Sequence, residues 1–216
     1  LASSAASDVY KRQYIDNFLY LCNRCNSYSR NKNGNMKFYN RKSELAELRR
    51  IRDLSFSDHS RLTVVTGRRR IGKTSLIMKA VEDMPTVYLF VGRKSEATLC
   101  SEFIPVIGQS LDVFVPMEIR TFRSLFQYLM ELSSQKPFNL VIDEFQEFYN
   151  INESVYSDMQ NIWDTYRKKS KMNLIVSGSV YSLMQKIFQN NKEPLFGRAD
   201  NLSLIHISEP TRPISI

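Results

Sequence analysis

The chain has 216 residues, of which 43% are hydrophobic and 24% charged. These values are close to those of globular domains and exclude global disorder and fibrous repeats, and the length predicts one domain or one domain with an arm. Thirty basic against 22 acidic residues give a net charge of +8, which favours a nucleotide, a nucleic acid or an anionic surface as partner without distinguishing among them. No apolar run reaches the length of about 18 residues that indicates a membrane span, so we expect no membrane association. Three cysteines cannot form a closed disulfide framework, which favours a cytoplasmic location.

Both ends of the chain are predicted to lie outside the fold. SSAASDVYKRQ near the start and LSLIHISEPTR near the end back-translate into the two adapters of transposase-made sequencing libraries. We therefore expect residues 1–13 and 202–216 to be assembly artefacts and exclude them from the fold, as one would the scar of a fusion. Two natural flexible tails are the alternative.

Residues 14–35 form a second uncertain segment, which becomes polar and rich in asparagine before Met36 opens an amphipathic pattern. They are either translated sequence upstream of a start codon at Met36 or an N-terminal arm. Cys22 and Cys25 lie within them as a single CxxC, and zinc needs two further ligands that the segment lacks. We therefore predict no metal site there.

Hydrophobic periodicity divides residues 36–201 into helices that alternate with strands. The predicted helices are Arg41–Asp53, Gly72–Asp83, Ser95–Gln109, one capped by Thr121, Asn152–Lys169 and Val180–Gln189. The predicted strands are Arg61–Thr66, Thr86–Val91, Phe138–Asp143 and Met172–Ser177. Strands that are apolar throughout and alternate with helices indicate a parallel sheet covered on both faces. The predicted fold class is α/β, with the sheet as the middle of three layers.

The strongest motif is a phosphate-binding loop between the first predicted strand and its helix. Residues 67–74, GRRRIGKT, match G-x-x-x-x-G-K-[ST] at every defined position. The two glycines let backbone N–H groups wrap a phosphate where a β-carbon would intrude, and the helix N-terminus attracts the same anion. Lys73 is expected to reach the β- and γ-phosphates, and Thr74 to offer its hydroxyl to Mg²⁺. The strand–loop–helix order favours a P-loop NTPase over an ordinary tight turn.

The predicted nucleotide-binding residues are the whole loop and the residue after it: Gly67, Arg68, Arg69, Arg70, Ile71, Gly72, Lys73, Thr74 and Ser75. The three arginines have two interpretations. They contact phosphate or a partner, or they are exposed residues that serve solubility.

A pair of acids follows the third predicted strand, in LVIDE. An acid at the carboxyl end of a buried strand lies beside the phosphate loop when the two strands are neighbours in the sheet. We expect Asp143 to hold Mg²⁺, through water, and Glu144 to orient the attacking water. Phe145 and Phe148 are predicted to be core or interface residues.

Two further candidates lie nearer the C-terminus. Ser177 ends the fourth predicted strand, where its hydroxyl is placed to sense the γ-phosphate or the attacking water; the alternative is a turn that caps the next helix. Arg198 follows that helix and suits charge stabilisation in phosphoryl transfer, from its own chain or a neighbouring subunit. A surface salt bridge is the alternative for Arg198.

Five segments together resemble the archaeal-type ATPase family, a prokaryotic AAA+-related group near the STAND NTPases. In order they are MKFYNRKSELAELRRI, VVTGRRRIGKTSLI, LVIDEFQEF, LIVSGSVYSLM and PLFGRAD. The resemblance runs from Met36 to about Asn201. It implies an AAA+-like sandwich, Asn40 and Arg41 near the adenine, Arg198 as an arginine finger, and ATP rather than GTP. No guanine-reading [NT]KxD motif is present, in agreement.

The resemblance also implies a helical lid and a C-terminal domain beyond the matching part. We expect the chain to be truncated before them, so that a DNA or protein effector would act through the missing part and a homo-oligomer would form through Arg198. The predicted function is Mg²⁺-dependent ATP hydrolysis, with Glu144, Lys73, Arg198 and Ser177 as catalytic residues. The alternatives are a STAND-type nucleotide switch and a DNA-associated regulator, both with slow turnover.

Overall fold

The structure is a computed structural model that describes residues 41–199 and the backbone of Leu204–His206. In chain order its elements are α1 (Lys42–Ser57), β1 (Arg61–Thr66), α2 (Lys73–Val81), β2 (Thr86–Phe90), α3 (Glu96–Leu111), α4 (Phe122–Ser133), β3 (Phe138–Asp143), a 3-10 turn (Phe145–Glu147), α5 (Phe148–Ile151), α6 (Ser154–Tyr166), β4 (Met172–Gly178), α7 (Tyr181–Gln189) and β5 (Leu204–His206). Strands thus alternate with helices along the chain, as the sequence predicts. Asn40 and everything before it lie outside the described residues.

The strands form one parallel sheet in the order β2-β3-β4-β1-β5. Successive side chains of a strand point to opposite faces, and here both faces are buried. On β3, Leu140 and Ile142 pack into one apolar cluster while Val141 packs into another. α1 and α2 contribute to the second cluster, and the helices from α3 to α7 cover the opposite face. The predicted three-layer α/β fold is confirmed.

The predicted boundaries agree closely where a strand is apolar and bounded by turn residues. β1 and β3 have the predicted limits, and Thr121 caps α4 by accepting a hydrogen bond from the Ser124 N–H. α6 ends at Tyr166, so the three basic residues 167–169 follow the helix, where the sequence predicted its last turn. The 3-10 turn and α5 were not predicted. Both aromatic residues expected in the core, Phe145 and Phe148, are fully buried.

β5 lies in the stretch that the sequence analysis excludes from the fold. Its backbone pairs in parallel with β1, with Leu204 opposite Val64 and His206 opposite Thr66. These three positions of the stretch therefore pair with the sheet in this structure. Whether the stretch originates from an adapter stays a prediction, since strand pairing does not depend on the origin of a sequence.

The sheet order brings the carboxyl ends of β1, β4 and β3 to one edge, with β4 in the middle. β1 and β3 are not direct neighbours in this order, although adjacent strands were the condition under which the acid after β3 would lie beside the loop. α2 bridges the gap, because its buried residues Leu76 and Ile77 share a cluster with residues of all three strands. Within the described part of the chain, no helix combines the length and apolar character needed to cross a bilayer.

Candidate active site

The phosphate-loop motif forms a tight connection from β1 to α2. Gly72 precedes the first residue of α2 with φ of 83°, a left-handed conformation that disfavours residues with a β-carbon, and no side chain caps the helix there. Arg70 is also left-handed, at φ of 67°, which costs about 1–2 kcal/mol for a non-glycine residue. The uncapped first turn of α2 presents backbone N–H groups towards the loop, the arrangement that binds anions.

Lys73 is buried and turns back over the loop. Its Nζ donates hydrogen bonds to the carbonyl oxygens of Gly67, at 2.7 Å, and Arg68, at 3.0 Å. These carbonyls hold the ammonium group against the loop. A phosphate wrapped by the loop would meet this charge directly.

Asp143 accepts hydrogen bonds on both carboxylate oxygens. Oδ2 accepts from the Thr74 hydroxyl, at 2.9 Å, and from the Tyr88 hydroxyl, at 2.7 Å. Oδ1 accepts from the Ser177 hydroxyl and from the Glu144 N–H, the latter at 3.0 Å. Four donors from four segments therefore fix the direction of this carboxylate. The predicted pair Thr74 and Asp143 is in direct contact, although β4 lies between β1, which precedes the loop, and β3, which ends at Asp143.

Glu144 is oriented by different groups. Its backbone is left-handed, with φ of 54°, and its Oε2 accepts from the Ser179 hydroxyl, at 2.7 Å, and from the Gln146 amide, at 2.5 Å. The Ser179 hydroxyl in turn accepts from Nε of Arg69, at 3.3 Å. The turn after β4 thus connects the acid after β3 with the phosphate loop.

Ser177 and Arg198, the two remaining predicted site residues, contact acids other than Glu144. Ser177 is fully buried and donates to Asp143, so the residue nearest Glu144 in this turn is Ser179. Arg198 forms an ion pair with Asp164 of α6, with 2.8 Å between Nη2 and Oδ2. The surface salt bridge is therefore the interaction that Arg198 makes in this structure.

Arg198 lies at the opposite edge of the sheet from the loop. Asp164 is in the last turn of α6, and the carbonyl of the following Arg167 accepts a hydrogen bond from the Ser60 N–H, just before β1 begins. The phosphate loop begins where β1 ends, six residues later, or about 20 Å at 3.3 Å per residue. The structure does not bring Arg198 to Lys73 and Glu144 of its own chain.

Arg41 begins the described chain, directly before α1. α1 and α2 both end near the amino edge of the sheet, where Arg52 donates a 2.8 Å hydrogen bond to the Ala80 carbonyl. Arg41 lies eleven residues earlier, towards the edge that carries the phosphate loop. An adenine contact by Arg41 is compatible with this position and stays a prediction, as it does for Asn40, which is outside the described residues.

Sequence reasoning missed three side chains of the site, Tyr88, Gln146 and Ser179. Tyr88 reads as one more apolar strand residue, and Gln146 as part of the apolar-acidic run after Asp143. The sequence does contain an indication of Ser179 as a site residue, because two serines flank Gly178 and the later one lies nearer the next helix. Only the strand register decides which serine meets which acid.

Among the described residues, no cluster of three or more His, Cys, Asp or Glu side chains could hold a metal by itself. A site for Mg²⁺ in a nucleotide pocket does not need one, since Mg²⁺ takes one or two protein oxygens and completes its shell with phosphates and water. The Thr74 hydroxyl and the Asp143 carboxylate are hard oxygen ligands that already touch. These residues therefore fit a magnesium ion.

A parallel sheet of this order, with a phosphate loop after β1 and acids after β3, defines an AAA+-related P-loop ATPase. The chain belongs to a family of ATPase domains found predominantly in Archaea, whose model matches residues 38–209. The match includes the loop, both acids and β5.

One sequence relative is the uncharacterized protein MJECL04 of Methanocaldococcus jannaschii, 31% identical over 165 residues. These residues are 74% of this chain and 34% of that protein, so the chain spans about a third of this relative's length.

Solved structures with the same fold include three archaeal proteins. The Walker-type ATPase PABY2304 of Pyrococcus abyssi has a TM-score of 0.57 at 17% identity, over 78% of this chain and 54% of that one. Cdc6p of Pyrobaculum aerophilum has a TM-score of 0.58 at 17% identity, over 84% of this chain and 48% of that one. The ADP form of the Aeropyrum pernix ORC2 protein has a TM-score of 0.59 at 12% identity, over 85% of this chain and 51% of that one. At these identities the likeness supports the fold alone.

Proposed function

We propose that this chain is an ATPase core that binds ATP at the loop 67–74 and hydrolyses it with Mg²⁺. The observation that carries the proposal is the direct contact of the Thr74 hydroxyl with the Asp143 carboxylate, at 2.9 Å. It joins the loop motif to the acid motif at one point, and a metal ion there would also face the phosphates that the loop wraps. A bound Mg²⁺ would neutralise charge on the phosphate oxygens.

The chain's own residues have separate roles in this proposal. Lys73 exchanges its hydrogen bonds to two loop carbonyls for bonds to phosphate oxygens, so its charge is already in place and no large movement is required. Thr74 and Asp143 hold the metal. Glu144, adjacent to Asp143 but held by other groups, orients the water that attacks the terminal phosphate in line.

The test is nucleotide binding by the full chain, with a fluorescent ATP analogue as probe. Lys73→Ala is expected to weaken binding at least tenfold, since it removes a charge-assisted contact. Lys79→Ala is the matched control, because this lysine of the same helix is exposed and, among the described residues, its ammonium group pairs with Glu82 alone. Binding that survives Lys73→Ala at full strength would exclude the loop as the site.

Arg198 would contribute to hydrolysis from a neighbouring copy of the chain. Its position at the far edge of the sheet supports this over action within its own chain. Mixing Lys73→Ala chains with Arg198→Ala chains tests it, because some sites then pair an intact loop with an intact Arg198. We expect the mixture to regain activity that each variant lacks; a mixture as inactive as its components would refute the contribution from a neighbour.

The action of a DNA or protein effector on this protein stays a proposal. A cytoplasmic location also stays a proposal. The relative from Methanocaldococcus jannaschii is much longer than the segment it shares with this chain, which supports further domains in such proteins. Binding of short duplex DNA by this chain at two salt concentrations would test the first proposal. Tight binding that resists salt would place the DNA contact within the present chain.

A further inference from the structure

Glu144 presents its two carboxylate oxygens differently. Oε2 accepts hydrogen bonds from Ser179 and from Gln146, whereas Oε1 accepts none from the described residues. A carboxylate held by one oxygen offers the other in a defined direction. In-line attack requires a water in one direction only, so this asymmetry is what a water-orienting group needs.

The Gln146 amide is held in place by close packing. The side chain is 1% exposed, and an added β-carbon on Gly178 would come within 2.5 Å of its Oε1. Its Oε1 has no hydrogen-bond partner among the described residues. A side chain that served stability alone would gain nothing from leaving a buried carbonyl oxygen unpaired; what its position does provide is the N–H donated to Glu144.

The other donor, Ser179, has a second contact, which leads back to the phosphate loop. Its hydroxyl donates to Glu144 and accepts from Nε of Arg69, at 3.3 Å. Arg69 is exposed and lies within the loop that wraps the phosphates. A change in Arg69 when phosphate enters the loop would therefore act on the hydroxyl that holds Glu144.

We propose that Ser179 and Gln146 are positioning residues that orient Glu144 through Oε2, and that Arg69 couples this orientation to the phosphate loop. The inference rests on the proposed ATPase function. In this proposal the two serines beside Gly178 have distinct roles. Ser177 donates to Asp143, the metal-binding acid, and Ser179 donates to Glu144, the water-orienting acid.

The first test is steady-state ATP hydrolysis by the full chain with Ser179→Ala. We expect kcat to fall about tenfold or more, as for other groups that support a catalytic one, while the affinity for a fluorescent ATP analogue changes less than about twofold. Ser179→Thr keeps the hydroxyl and is expected to restore most of kcat. Ser57→Ala is the matched control, because it removes an exposed hydroxyl that donates to the Leu54 carbonyl of its own helix.

Gln146→Met tests the same oxygen from the other side, because it keeps side-chain length and removes the amide donor. It is expected to lower kcat with little change in nucleotide affinity. If both variants keep wild-type kcat, or if kcat and affinity fall together, the positioning role is refuted. A wild-type chain that does not hydrolyse ATP refutes the proposed function and this inference with it.

The coupling is tested by combining Arg69→Ala with Ser179→Ala. If Arg69 acts on Glu144 through Ser179, the double variant has about the same kcat as Ser179→Ala alone, because the single substitution has already broken the connection. Losses in kcat that multiply would mean that Arg69 acts independently, and would refute the coupling.

Discussion

Gly178→Ala is the substitution whose effect on the free energy of unfolding follows most directly from the structure. A β-carbon at this position would lie 2.4 Å from Sδ of Met184 and 2.5 Å from Oε1 of Gln146. Both side chains are essentially fully buried, so neither can turn out into solvent. Overpacking of this kind costs about 1–3 kcal/mol. At about 2–4 °C per kcal/mol for a domain of this size, the melting temperature should fall by roughly 2–12 °C.

Gly92→Ala is the matched control for this substitution. A β-carbon there meets only the Phe90 ring, at 3.8 Å, which is an ordinary contact. Both substitutions reduce the conformational entropy of the unfolded chain equally, so their difference isolates the clash at Gly178. Trp163, the only tryptophan of the chain, is 2% exposed and reports unfolding by its fluorescence.

The same substitution should also lower ATP hydrolysis, because Gln146 must move away from its contact with Glu144. We expect a lower kcat with an ATP affinity close to that of the wild type. Equal melting temperatures for Gly178→Ala and Gly92→Ala, together with equal kcat values, would refute the reasoning about close packing at this turn.

Three further predictions follow from the site and the core. Thr74→Val removes a hydroxyl that touches Asp143 and should raise the Mg²⁺ concentration needed for half-maximal tightening of ATP binding about tenfold or more; an unchanged Mg²⁺ requirement would argue against a metal at this point. Tyr88→Phe removes one of the four donors to Asp143 and should shift the same Mg²⁺ titration less than Thr74→Val does; a larger shift would contradict the ranking. Burial, with a smaller effect from Glu96, raises the pKa of the Cys100 thiol to about 11, so iodoacetamide at pH 8 should label its peptide in denaturant and not in the native chain, as peptide mass spectrometry would reveal; equal labelling would contradict that burial.

The sequence predicts the fold well because its signals are local. RLTVVT is short and rich in β-branched residues, FNLVID is short and largely apolar, and both are strands with the predicted limits. The loop motif also predicts the elements beside it, because its glycines, lysine and threonine are arranged to bind phosphate when a strand precedes them and a helix follows them. These features depend on neighbours along the chain.

The arrangement of the site depends on which strands are neighbours, which local patterns do not report. The insertion of β4 between β1 and β3 decides that Ser177 meets Asp143 and Ser179 meets Glu144. The position of Arg198 likewise follows from its ion pair with Asp164, a contact across 34 residues.

The most direct test of the account is ATP hydrolysis by Glu144→Gln beside the wild-type full chain, with nucleotide affinity measured on the same samples. The substitution keeps side-chain size and removes the negative charge that orients water. We expect turnover to fall at least a hundredfold, with the ATP affinity within about threefold of the wild type. Turnover that persists near the wild-type rate, or an affinity that falls together with it, would contradict the assignment of Glu144 as the water-orienting acid.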